Sequence, residues 1–195
     1  MNENAMRYRA GIEQTEATIK RFTKTVYNTY NSNTKAIEMA FSLLLILIGI
    51  NTNIKFFSAL VTFLGCIAFA SINFLPKSQA KQIIQNAKGK LPSSEFEFYD
   101  DLLIDTKDKK KVSYEKIERL VDDKSYLYLL FGPAGGYMID YKSIRGEGDA
   151  EDFKRMLSSA TGLKWSKPTT IFNYSLKKPS LDKLRKGDEG PRLKG

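Results

Sequence analysis

Four groups of residues have types and spacing that could do chemistry. Asp100-Asp101 and Asp122-Asp123 are paired carboxylates, able in principle to hold a cation or to share acid and base roles. Both pairs fall at turns between apolar runs, where aspartates bonding their own backbone are the plainer account. Gly132-Pro133-Ala134-Gly135-Gly136 has the glycine density of a phosphate cradle. It lacks a following Lys-Ser or Lys-Thr and joins two strand patterns, which makes it a hairpin turn. Ser125, Ser143 and Cys66 are candidate nucleophiles, but the chain has no histidine to activate them. A lone cysteine without histidine also excludes the Cys/His zinc centres and any intramolecular disulfide. No cofactor, no metal site and no enzyme activity is expected.

Other residues suit recognition better than reaction. Lys109, Lys110 and Lys111 lie in a polar turn and are candidate contacts for anionic lipid, although such turns are often only solvated. Tyr126, Tyr128 and Tyr137 are candidate partner-binding residues on a sheet face, with core packing and a hydroxyl at the rim as the alternative. Glu38 stands near the start of an apolar run and is the candidate intramembrane polar residue; a carboxylate so near the boundary also reaches the interface.

The elements that must position these residues begin with two apolar stretches, 36–50 and 56–75, separated by Asn51-Thr52-Asn53-Ile54-Lys55. Each approaches the length needed to cross about 30 Å of hydrocarbon, and so short a loop makes them an antiparallel hairpin. Extending the first stretch back toward Tyr30 or forward to Ile54 supplies its missing length. Small residues in the second, including Ser58, Gly65, Ala68 and Ser71, permit close helix packing, and Pro76 is expected to end the run. The first stretch starts too far from Met1, and lacks a convincing small-residue cleavage site, for a signal peptide.

Charge sorts by segment. Residues 1–35, 36–90, 91–165 and 166–195 carry net charges of +3, +4, −3 and +5. The prospective domain is mildly acidic, which is not the clustered basic face of a nucleic-acid reader. Lys20, Arg21, Lys24 and Lys35 precede the hairpin and Lys77, Lys81, Lys88 and Lys90 follow it, against Lys55 alone in the loop. Both termini are therefore expected in the cytoplasm, on a two-pass protein of a cytoplasmic membrane.

Flanking patterns complete the organisation. Met6–Ile12 suits a short strand. Ile19, Phe22, Val26, Tyr27 and Tyr30 recur at helical spacing after Thr15, a prospective N-cap. That amphipathic helix has two readings, one on the membrane and one on the domain. Residues 1–35 thus form a strand and helix, 36–76 the hairpin, and 77–93 a connector. From residue 94 the period changes to two. Short strands bounded by turns follow, with Tyr126–Phe131 the clearest, and a helix capped by Asp149 carries Phe153, Met156, Leu157 and Ala160. Residues 94–162 form this domain, and 163–195 a basic, flexible tail.

The order of apolar pair, Phe96-Glu97-Phe98, Ser113-Tyr114-Glu115-Lys116-Ile117, Tyr126-Leu127-Tyr128-Leu129 and Phe153…Leu157 helix resembles the YcxB-like membrane proteins of bacteria over residues 15–160. The resemblance implies two transmembrane helices and a small cytoplasmic domain similar to bacterial pleckstrin-homology domains, but no reaction. The expected fold class is an α+β membrane protein: a transmembrane hairpin with a PH-like antiparallel-sheet domain closed by a C-terminal helix. The expected function is a non-catalytic interaction module at the inner membrane, contacting lipid and recognising a protein partner or a second copy through its sheet, the edge of strand 126–131 and its basic flanks. An immunity protein against a membrane-acting toxin, or a lipid-headgroup module, is the alternative. A pore subunit would have only Glu38, Thr62 and Asn73 to line its path.

Overall fold

The strand ahead of the first helix, β1 (Tyr8–Ile12), pairs with a strand that lies beyond the whole helical segment. Its antiparallel partner is β2 (Ser94–Phe98), with Tyr8 opposite Phe98 and Ile12 opposite Ser94. Residues 13–93 are thus an insertion between two neighbouring strands of one sheet. The computed structural model describes residues 5–88, 91, 93–133 and 135–168; the basic tail lies outside them from residue 169 onward.

Among the described residues the fold is α+β, with five helices and two sheets. The first sheet adds β3 (Leu102–Asp105), β4 (Lys110–Ser113) and β8 (Arg145–Gly146), in the order β4-β3-β2-β1-β8. The second contains β5 (Arg119–Asp122), β6 (Tyr126–Gly132), β7 (Gly135–Asp140) and β9 (Trp165–Ser166), in the order β7-β6-β5-β9. Only the β5–β9 pairing is parallel. Tyr114–Lys116 forms a single 3-10 turn between β4 and β5, and the Ser113 side chain caps it by accepting from the Glu115 N–H.

Period-two patterning fixes which side chains enter the core. Tyr8, Phe98, Leu103 and Val112 stand opposite one another across β1 to β4, and all four are buried. Glu95 and Glu97 alternate outward. Helix α5 (Ala150–Thr161) closes this face, its start held by a capping box between Asp149 and Asp152. Phe153 of α5 meets Phe98 edge-on at 4.8 Å and Tyr8 at 5.2 Å. Removing a ring so enclosed costs about 3–5 kcal/mol.

Strand β6 is buried on both faces, which explains its unbroken apolar run. Leu127 and Leu129 face the main core, whereas Tyr128 and Leu130 face a second cluster with Ile12, Val121 and Met138. Helix α1 (Glu16–Tyr30) covers that second cluster with Val26, Phe22 and Tyr30. Phe22 stacks on Tyr128 at 6.4 Å and 17°. Thr15 caps α1 reciprocally with Thr18, and its apolar stripe lies on the domain.

Helices α2 (Ser32–Asn51) and α3 (Lys55–Ser71) form the antiparallel hairpin. They approach backbone to backbone at two glycines. A Cβ on Gly65 would stand 2.7 Å from Ile46 Cγ1 and 2.9 Å from its backbone N, and one on Gly49 would stand 2.6 Å from the Thr62 backbone N. Helix α4 (Phe74–Asn86) follows α3 with a bend of 44°. Pro76 does not end the run. It sits in the first turn of α4, and the break falls at Ile72-Asn73, where a proline ring at position 76 would collide with the carbonyl four residues earlier. The α4 helix then packs along α1, with Ala80 buried.

Candidate membrane-interface site

The hairpin turns its large apolar side chains outward. Exposure runs from 42% for Leu60 to 76% for Phe56, and Phe41, Leu44, Leu47, Phe63 and Ile67 are exposed alongside them. Meanwhile the buried positions of α2 and α3 are Ser42, Gly49 and Gly65. Small residues inside and large apolar ones outside reverse the order of a water-soluble core, where so large a continuous patch is rare. Among the described residues, α2 alone is long and apolar enough to span a membrane, and α3 and α4 reach that measure only as a bent pair.

Where the hairpin meets the domain, polar groups replace the apolar belt. Lys35, in the first turn of α2, donates to Asn28 Oδ1 of α1 at 3.0 Å and to Asn73 Oδ1 at the α3–α4 break at 2.6 Å. One turn onward, Glu38 lines an open cleft of about 370 Å³ with Tyr27, Phe41, Ile72, Phe74 and Leu75. The Ser42 hydroxyl donates back to the Glu38 carbonyl at 2.7 Å, so the Glu38 backbone is tied while its carboxylate is exposed.

A second polar group locks α1 and α5 to the sheet at the β5–β6 turn. Asp123 accepts from Arg21 Nε at 2.9 Å and from the Tyr128 hydroxyl at 2.6 Å, and its other oxygen accepts the Tyr126 N–H at 2.8 Å. Asp122 accepts from Lys154 at 2.7 Å and from the Tyr141 hydroxyl at 2.9 Å. Burial works against the Asp122 carboxylate, but hydrogen bonds from Lys154, the Lys124 N–H and Tyr141 outweigh it and hold its pKa below the ordinary value. Burial, then Asp123, raises the Tyr128 phenol. At the far end of α1, burial and the hydrogen bond to Glu118 push Tyr30 up to about 12. Every oxygen of the turn pair is spent on holding the fold, and no cluster of three potential metal ligands occurs among the described residues.

The sequence-predicted recognition residues are not brought together. Tyr128 is wholly buried beneath α1 and offers no surface to a partner. Tyr126 is half-buried under the Arg21 guanidinium, 4.9 Å from its ring centre. Tyr137 faces the opposite side of the sheet, since the residue beside Tyr128 is Met138, and it packs on Phe96 and Phe131 at 4.5 and 5.0 Å. The expected edge at 126–131 is also corrected: β6 is an inner strand between β5 and β7. Lys109, Lys110 and Lys111 are exposed, where β3 turns into the outermost strand β4. That turn lies at the end of the sheet where β1 leaves and β2 enters, for the Thr106 N–H bonds Glu95 O at 3.0 Å. Lysines on an outermost strand also discourage pairing with a stray strand.

Asp100, Ser125, Ser143 and the glycines of the β6–β7 turn serve the fold. Asp100 pairs with Arg7 at 3.1 Å. Ser143 accepts the Gly11 N–H at 2.9 Å, and the Ser125 N–H donates to Asp123 at 3.1 Å. Cys66 is exposed on the hairpin. Gly132 and Gly135 pair across the β6–β7 turn. Sequence reasoning named Lys35 and Asn73 separately, as a flanking charge and a polar residue in an apolar run. Their union, and the part of Asn28, depends on the α3–α4 bend, and no local pattern announced it.

Residues 102–157 match the family model described as YcxB-like protein, which supports the YcxB-like reading from β3 into α5. No curated protein and no solved structure matches the chain.

Proposed function

We propose that this chain is a non-catalytic, membrane-anchored interaction module whose hairpin lies in a cytoplasmic membrane and whose sheet domain recognises a protein partner or a second copy on the cytoplasmic side. The observation that carries the reading is the inverted packing of α2 and α3, with Ser42, Gly49 and Gly65 inside and large apolar side chains outside. Water would charge heavily for that surface, and a bilayer would not. The domain has a core of its own, built on Phe98, Leu103, Leu129 and Phe153. No residue of α2 or α3 belongs to that core.

Basic residues favour one orientation. Lys35, Lys77 and Lys81 lie where the hairpin meets the domain, and Lys55 begins α3 at the opposite end. Under the positive-inside rule the domain and both termini then share the cytoplasmic face. Two sheets closed by one C-terminal helix support the PH-like comparison. The polar clusters within the domain are taken up by Asp122, Asp123, Lys154 and Arg21 bonding to one another and to tyrosines, an arrangement suited to a scaffold.

Alkaline washing of native membranes, followed by purification in mild detergent with mass spectrometry, tests the reading. The expected result is a chain that resists the wash and retains a stoichiometric partner or a second copy. Release by the wash overturns the membrane anchor, and recovery of a lone monomer overturns the interaction module.

A further inference from the structure

Lys35 and Glu38 stand one helical turn apart at the start of α2, near enough for the Glu38 charge to act on Lys35, yet no hydrogen bond or ion pair joins them among the described residues. The Lys35 ammonium is drawn away by two neutral acceptors, Asn28 at 3.0 Å and Asn73 at 2.6 Å. An ammonium carries three protons, so one donor remains. The exposed Lys24 on α1 lies near enough for its positive charge to act on Lys35, and no ion pair to either lysine occurs among the described residues. The Glu38 carboxylate, for its part, accepts no hydrogen bond among the described residues and opens onto the cleft walled by Phe41, Phe74 and Leu75. Those three side chains are 56%, 69% and 51% exposed.

The cleft thus has an exposed carboxylate and apolar walls, and the Lys35 ammonium lies outside its lining, on the helical turn before that carboxylate. We propose that this cleft binds a phosphoethanolamine zwitterion, its phosphate on Lys35 with Lys24 nearby and its primary ammonium on Glu38. Residues at this spacing on a helix have Cβ atoms about 5–6 Å apart, which suits two charges joined by two methylene groups. A purely anionic ligand would satisfy Lys35 but meet repulsion from Glu38. A choline headgroup has the right charges and no N–H to give the carboxylate, so it forfeits the charge-assisted hydrogen bond. In a phospholipid the acyl chains would run along Phe41, Phe74 and Leu75. The inference rests on the membrane reading above and adds the identity of a ligand to it.

The test uses the full chain purified in mild detergent and placed in nanodiscs containing equal phosphatidylethanolamine and phosphatidylcholine of identical acyl chains. Bound lipid is then counted by native mass spectrometry. Retention of phosphatidylethanolamine over phosphatidylcholine by about tenfold or more is expected, the scale of one hydrogen bond to a charged group. Glu38→Gln should bring that ratio close to one with no change in melting temperature, because the side chain is exposed. Lys24→Gln should lower retention of both lipids, since each carries the phosphate. Water-soluble O-phosphoethanolamine separates the sources: displacement of the lipid by it assigns the site to the free zwitterion, and failure to displace assigns it to the lipid. Equal retention of the two lipids by the native chain, or a preference that survives Glu38→Gln, overturns the proposal. An embedded protein indifferent to headgroup marks failure of this inference alone, whereas release from membranes by alkali marks failure of the reading beneath it.

Discussion

Lys35 Nζ donates to Asn73 Oδ1 at 2.6 Å, fastening the first turn of α2 to the break between α3 and α4. The same ammonium reaches Asn28 of α1. One side chain thus ties together the helix that covers the domain, the first arm of the hairpin and the return of the second.

Asn73→Ala should consequently loosen the junction without touching the domain core. A bond to a charged donor of this kind contributes about 1.5–3 kcal/mol. Thermal unfolding of the full chain in detergent should show a lower melting temperature. An unchanged one would mean that Lys35 finds an equivalent acceptor.

The glycine seam makes a sharper demand. Gly65→Leu places a large side chain against the Ile46 backbone and should cost about 1–3 kcal/mol or prevent the hairpin from closing. Gly135→Ala, where a Cβ would meet nothing within 4 Å, is the control and should be neutral. Folded yield and protease resistance read both.

Acid should expose the contribution of Asp122. Its folded pKa is depressed, so the stability it contributes is present above the ordinary aspartate value near ~4 and is lost as pH falls through the folded value. Lys154→Met removes its strongest donor. The stability gap between native and variant chains should be constant above about pH 5 and should shrink below about pH 4. A gap that persists unchanged into acid would show that the loss is one of packing.

Tyr128→Phe separates structure from recognition. The hydroxyl bonds Asp123 at 2.6 Å under α1, so its loss should cost about 1–2 kcal/mol. The set of proteins recovered with the chain should not change. Loss of a partner at full stability would restore Tyr128 as a contact residue.

Alkali should act on Tyr30. Its phenol is pushed up to about 12 by burial and by Glu118, so the stability it confers is full below the ordinary tyrosine value near ~10 and is lost as pH rises through about 12. Spectrophotometric titration should lose one late-ionising phenol in Tyr30→Phe.

Local patterns carried much of the architecture. Thr15 and Asp149 have the side chains that caps require, and both begin helices. Phe96 and Phe98, spaced by two, both point into one core, and Leu102-Leu103-Ile104 supplies the next strand. What stayed hidden was long-range. Tyr8–Ile12 looked like a strand in a leading segment, whereas pairing with Ser94–Phe98 places it inside the domain sheet. The tyrosines of β6 resembled a free face because nothing in their spacing says that α1 will lie over them. At the candidate site, Glu38 stood out as a charge in an apolar run. The junction of Lys35 with Asn28 and Asn73, one helical turn away, required a bend whose cause, Pro76, was visible and whose position was not.

The placement of the helices between β1 and β2 has a consequence for how the protein is made. Tyr8–Ile12 leaves the ribosome long before its partner Ser94–Phe98, so the sheet cannot form until the helices between them have been made. If α2 alone threaded the bilayer, the two strands would finish in different compartments and the domain would have no means of closing. On the proposed membrane reading, a folded domain requires that a chain which crosses also comes back.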